Sequence, residues 1–183
     1  MSELASRAQL RASFLRWTVV LVPVIVLLGF LSGRAASSGP GNPWFDALTK
    51  PSLYPPPALF GIVWTILYIL MGIALSMIVT SRGAAGRGVA IAVFVVQLLL
   101  NLAWSPVFFG MHRLVEALYL LVAIDIAVLA TVVLFWRVRP VAGMLLLPYL
   151  AWVLFATVLD WQFVQANPDA GDGGSSTVTV DLQ

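Results

Sequence analysis

Gln97 and Asn101 stand four residues apart in an otherwise apolar run, with Trp104 about one turn further on. Trp152, Ala156 and Asp160 repeat the four-residue interval later in the chain, and Trp64 with Tyr68 makes a third pair. On a helix, residues at that interval share a face, so each run presents an indole on one stripe, and two of the runs add a polar group. Amides and acids surrounded by hydrocarbon must find partners inside the protein. The stripes therefore turn inward and line a cavity with aromatic walls and few polar handles. Its chemistry is recognition of a flat, largely apolar ligand: indoles stack on conjugated rings, and Gln97 and Asn101 orient a carbonyl or carboxylate. Ordinary hydrolytic or redox catalysis has no footing, because cysteine is absent, His112 is the single histidine, and no nucleophile, base or metal motif is present. No catalytic residue, metal ligand or required cofactor is assigned.

The elements that carry these stripes are set by composition. Of 183 residues, 61% are hydrophobic and 10% charged, against about 25% charged in soluble domains, and the mean hydropathy is +0.98. A net charge of +2 with no basic patch gives no footprint for nucleic acid. Five stretches reach the ~20 apolar residues that a membrane-spanning helix needs: about 17–36, 58–80, 89–111, 114–136 and 140–164. The expected fold is an all-α integral membrane protein, a bundle of five transmembrane helices over residues 17–165. An N-terminal extension, 1–16, precedes it, and an acidic Gly- and Ser-rich tail, 166–183, has the composition of a disordered segment.

Seven of the ten Lys and Arg residues fall by one set of span ends (Arg7, Arg11, Arg16, Arg82, Arg87, Arg137, Arg139), and Arg34, Lys50 and Arg113 fall by the other. By the positive-inside rule the N-terminus is cytoplasmic in a multi-pass protein, and the long first loop lies outside. The first span is too long an apolar run for a signal peptide, although Ala35 to Ser38 offer small residues for cleavage. It is read as a retained helix, and its Gly29 and Gly33 permit close helix contact.

Between the first two spans stands WFDALTKPSLYPPP, residues 44–57. Its prolines fix φ and deny helix to their neighbours, so 49–57 should be extended and stiff, and helix can resume after Pro57. This segment, with Phe60, Val63-Trp64, Leu67-Tyr68 and Met71-Gly72 after it, resembles the TspO/MBR family, the tryptophan-rich sensory proteins and the mitochondrial translocator protein (peripheral benzodiazepine receptor). Asn101 to Ser105 with Phe108 to Gly110, and Leu147 to Trp152 with Phe155-Ala156, agree with the same family.

The resemblance implies a membrane receptor for porphyrins or haem-type tetrapyrroles, for sterols in some members and for synthetic drugs, in a bacterial membrane and as a homodimer among membrane lipid. It places Trp44, Phe45, Trp64, Asn101, Trp104, Trp152 and Ala156 where the family's pocket residues stand, to which the stripes add Gln97 and Asp160. Loop 37–57 becomes a stiff lid carrying Trp44 and Phe45. The family also implies two alternatives to a sensor: light- and oxygen-dependent porphyrin breakdown, or transport of porphyrins and other hydrophobic ligands. Asp160 departs from the Asn common at that position; burial there favours a neutral donor, and a charged Asp160 could instead pair with a ligand cation or stay wet near the helix end. No basic residue follows Tyr149 in the fifth span, so the proposed sterol pattern is missing and sterols are the least supported ligands. For Asp125, near the centre of the fourth span, an interhelical hydrogen bond is expected.

Overall fold

A computed structural model describes residues 7–170, and among them every regular element is helical. Five helices are long and apolar enough to cross a membrane. The first, α1 (Arg7–Ala35), is followed by a short helix α2 (Pro43–Ala47) in the first loop and by the second span, α3 (Pro57–Thr80). The third span is α4 (Arg87–Ser105), extended by a π-helical turn (Pro106–Gly110), and the fourth is α5 (Leu114–Val138). The fifth is split into α6 (Pro140–Leu145) and α7 (Leu147–Ala166). The chain is therefore an all-α membrane protein. Helix α1 starts ten residues before the expected 17, and the other spans run within a few residues of their expected limits. Residues 1–6 of the expected extension and 171–183 of the expected tail lie outside the described residues.

Breaks in the helices follow the local chemistry. Pro106 follows the last α-helical residue of the third span, and the turn closes with the Met111 amide donating to the Pro106 carbonyl at 2.8 Å, the wider i to i+5 register of a π turn. Pro148, which has no N–H to give, stands just past the break at Leu146. Arg87 secures the turn before α4 by donating from Nε and Nη2 to the Val79 carbonyl at 3.2 and 2.9 Å.

The faces divide by solvent. Val19, Leu99 and Ile126 are more than 60% exposed, as apolar side chains facing hydrocarbon would be. Inside, α3 packs against α1, α4 and α6, while α5 packs against α4, α6 and α7. Glycines let the backbones meet: a Cβ on Gly72 would lie 2.7 Å from the Val22 Cα, and one on Gly29 would lie 2.1 Å from the Tyr68 ring. Gly29 thus makes room for a side chain of α3, and only Ser38 approaches Gly33. A hydrogen bond from Ser32 Oγ to the Leu102 carbonyl, 2.6 Å, ties α1 to α4.

Gly72→Ala should lower the thermal midpoint in detergent, because backbone must move to admit the methyl and such overpacking costs about 1–3 kcal/mol. Gly61→Ala, on the same helix with open space around it, should be neutral or stabilising by up to ~1 kcal/mol from helix propensity. Equal midpoints for the two variants would contradict this packing.

Candidate ligand-binding site

The first loop folds as a strapped cap over one end of the bundle. Asn42 starts α2 by accepting hydrogen bonds from the Trp44 and Phe45 amides at 3.1 and 3.2 Å, and its Nδ2 donates to the Phe109 carbonyl in the π turn at 3.3 Å. Gly41, at φ +94°, takes a backbone conformation that suits glycine and donates its amide to Asp46 Oδ2 at 3.0 Å. Lys50 closes the other end, with Nζ donating to the carbonyls of Phe45, Asp46 and Leu48 and lying 4.5 Å from the Phe45 ring centroid. Beyond it the Thr49 amide donates to Asn167 Oδ1 at 2.7 Å and Asn167 Nδ2 returns a bond to the Thr49 carbonyl at 3.0 Å. The cap is thereby fastened to the third span on one side and to the end of the fifth on the other. Burial first, and the Asp46 carboxylate second, push the Tyr54 hydroxyl above the ordinary phenol range, so it stays neutral beside the cap.

Beneath it lies an aromatic cluster. Phe45 is 3% exposed and meets Phe108, Phe109, Phe163 and Tyr54 at centroid distances of 5.1 to 6.2 Å. Trp44 meets Phe108 edge-on and stacks on His112 at 4.5 Å. His112 therefore braces the lid. Trp104 stacks on Phe108 at 5.0 Å and packs against both this cluster and the central core. Trp152 joins through Phe60 and Tyr54, at 5.8 and 5.6 Å.

Deeper in the bundle, Trp64 contacts Tyr68 and Tyr149, and the two tyrosines hold the amides of α4. Tyr68 Oη donates to Asn101 Oδ1 at 3.0 Å, and Tyr149 Oη donates to Gln97 Oε1 at 2.9 Å. Thr157 Oγ1 donates to Asp125 Oδ2 at 2.7 Å, the interhelical bond expected of Asp125. Ala156 is half-buried against the central core.

Of the nine expected site residues, Trp44, Phe45 and Trp104 each meet Phe108, Trp152 reaches that group through other rings, Trp64, Gln97 and Asn101 form the deeper layer, and Ala156 and Asp160 lie on α7, the first against the central core and the second buried. The expected space under the lid is occupied by rings. The grooves at the surface run between α1 and α3, along Phe30, Gly61 and Ile66, and between α3 and α7, along Val63, Leu67 and Ala151, where Trp152 borders the second. The sequence reading passed over Phe108 and Phe163 as site residues; their intervals from Trp104 and Asp160, four and three residues, were the available signal. Nothing in the spacing marked Tyr149 as the partner of Gln97.

Most buried polar side chains are paired, and the exceptions concentrate here. Among the described residues, buried side-chain atoms without a protein hydrogen bond are Gln97 Nε2, Trp104 Nε1, Trp152 Nε1, both Asp160 oxygens, Asp125 Oδ1 and Gln162 Oε1. Five of these seven atoms belong to expected site residues on α4 and α7. Helix rise puts Trp152 and Asp160 about 12 Å apart along α7. The arrangement offers unused donors and acceptors beside aromatic faces, and among the described residues no cluster of His, Cys, Asp or Glu could hold a metal.

Comparison with known proteins adds that the TspO/MBR family model matches residues 19–165. The chain is 38% identical over 148 residues to the tryptophan-rich protein TspO of Chlorobaculum tepidum, covering 80% of this chain and 93% of that one. It is 39% identical over 129 residues to protein CrtK of Rhodobacter capsulatus, covering 68% and 79%. It is 38% identical over 136 residues to the human translocator protein, covering 73% and 80%.

Asn42→Ala should loosen the lid without unfolding the bundle. Loss of a cap costs about 1–2 kcal/mol, so amide exchange at residues 44–48 should accelerate by about tenfold while exchange in α3 and α5 is unchanged. Equal lid exchange in the two proteins would argue against the strap.

Proposed function

Because the chain belongs to the TspO/MBR family, whose members are membrane sensory and translocator proteins, we propose that it binds a porphyrin or related tetrapyrrole within the membrane and acts as its sensor, with loop 37–57 as the lid. The observation that carries this reading is the set of unpaired buried donors and acceptors on Gln97, Trp104, Trp152 and Asp160. Leaving such atoms unpaired costs about 1–3 kcal/mol each. A ligand that supplies their partners recovers this energy. The neighbouring rings of Trp44, Phe45, Phe60, Trp64 and Phe108 suit a flat conjugated molecule, against which indoles and phenyls re-stack. Entry requires the lid to lift or its rings to turn aside, because they pack together in the resting arrangement.

The proposed topology has the N-terminus in the cytoplasm of a bacterial cell and the lid on the outer face, and the proposed assembly is a homodimer. In this cysteine-free chain, Ser52→Cys should react with an impermeant thiol reagent on intact cells, and Ala85→Cys only after permeabilisation. Light scattering in detergent should give twice the 19.8 kDa chain mass. Reversed labelling would overturn the orientation, and a single-chain mass would overturn the dimer.

Added protoporphyrin should quench tryptophan emission saturably, and Trp152→Leu should weaken binding about tenfold, or ~1.4 kcal/mol. An unchanged titration in the variant would sink the site assignment. Bleaching of the porphyrin band under illumination only with intact protein would favour the degradative reading, and vectorial flux in liposomes would favour transport.

A further inference from the structure

Asp160 is the most buried carboxyl among the described residues, 2% exposed, and neither of its oxygens receives a hydrogen bond from the protein. A carboxyl in that position is destabilising unless a donor or opposite charge meets it. Among the described residues none pairs with it. The Trp104 indole N–H is the donor within reach of the carboxyl, but its geometry is too poor for a hydrogen bond, which leaves both groups unpaired. Among the described residues the ion pair is Arg113 with Glu116, at 2.9 Å on the exposed start of α5, so no cation among them neutralises Asp160. A bound metal ion does not fit either, since no second carboxylate, histidine or thiol joins it in a cluster.

The surroundings narrow the missing partner further. Phe163 lies three residues on, along the same face of α7, and meets Phe108 at 5.9 Å, while Phe108 stacks on Trp104 at 5.0 Å. Two acceptor oxygens beside electron-rich ring faces suit a positively charged nitrogen, which gains from both the carboxylate and the rings. A ligand carboxylate would be repelled at the same point. A neutral hydroxyl would satisfy one oxygen without the gain of an ion pair.

We infer that Asp160, with the rings of Trp104, Phe108 and Phe163, is a recognition point for a protonated nitrogen on an aromatic ligand, so that the site prefers basic aromatic ligands to their neutral counterparts. This rests on the reading of the lid-covered region as a ligand site and adds a chemical class to it. Trp152, about 12 Å away along the helix, offers its indole N–H to an acceptor at the ligand's other end.

The test uses the full chain in a neutral detergent at about pH 7, where an alkylamine is protonated. Tryptophan quenching is titrated with 1-naphthylmethylamine and with 1-naphthalenemethanol, which share the ring system and differ in the head group, and with protoporphyrin in parallel. The amine should bind about tenfold more tightly than the alcohol. In Asp160→Asn, which keeps the shape and removes the charge, the two should bind within about twofold of each other, with an intact helical circular-dichroism spectrum and a cooperative thermal transition as proof of a folded bundle. Equal affinities in the unmodified protein, a preference unchanged by Asp160→Asn, or saturable binding of neither naphthyl ligand would overturn the inference. Should the variant fail to fold, the ratio in the unmodified protein decides alone. Loss of the protoporphyrin signal alone, with amine preference intact, would instead remove the tetrapyrrole reading and leave the role of Asp160 standing.

Discussion

Hydrocarbon offers no hydrogen bonds, and this constraint explains more of the molecule than any single contact. Each polar side chain in the spans must find its partner in the protein, and most do so in two ways. Ser76 and Thr131 return their hydroxyls to the carbonyl four residues back in their own helices, at 2.7 Å each. Tyr68 with Asn101, Tyr149 with Gln97 and Thr157 with Asp125 pair across helices instead. The cross-helix pairs set register, because sliding α3 or α7 by one turn against α4 would strand an amide and a phenol together. Apolar packing between helices has no such selectivity where lipid is as apolar as leucine.

The same constraint shapes the lid, which lies where water becomes available and backbone can leave the helix. Prolines from Pro51 to Pro57 remove donors that would otherwise need partners, but the return is not extended throughout as expected, since the Tyr54 amide donates to the Pro51 carbonyl at 3.0 Å and closes a turn over 51–54 before α3 starts at Pro57. Asn42, Lys50 and Asn167 satisfy the amides and carbonyls at the ends of α2 and its exit. A segment of a few residues could not hold Phe45 at 3% exposure by its own helix propensity. It holds because side chains from two spans reach up to it, so its stability belongs to the bundle.

The five spans were legible from apolar length alone, and the polar stripes on α4 and α7 from four-residue spacing. Helical phase, however, says which residues share a face and not which face they meet. Tyr149 entered only through the missing sterol pattern, yet its hydroxyl reaches Gln97, a contact fixed by the approach of α7 to α4. His112 stood out only as the single histidine, but the turn between the third and fourth spans, with His112 at φ +59°, sets its ring against Trp44. Gly29 and Gly33 read as a contact step, and its occupant proved to be the Tyr68 ring at Gly29. The early start of α1 at Arg7 was hidden because Arg7, Arg11 and Arg16 and Gln9 are compatible with helix but keep residues 7–16 below the hydropathy of a span. Occupation of the space under the lid by Phe45, Phe108 and Phe163 was beyond reach, since spacing gives direction and not free volume.

That packed interior sets the energetics of ligand binding. Each edge-on or stacked ring pair contributes about 0.5–1.5 kcal/mol beyond its buried area, so the resting lid competes with any ligand for the same aromatic faces. Ring stacking lost on opening is regained against the ligand, and the two terms largely offset. What does not cancel is the polar part, because Gln97 Nε2, Trp104 Nε1, Trp152 Nε1 and the Asp160 oxygens are unpaired in the resting arrangement and would gain partners from the proposed ligand. A ligand shifts a conformational equilibrium only by its differential interaction with the two states. In this bundle that differential lies in hydrogen bonds and charge, so selectivity should follow where a ligand carries its polar atoms more than how much apolar surface it buries.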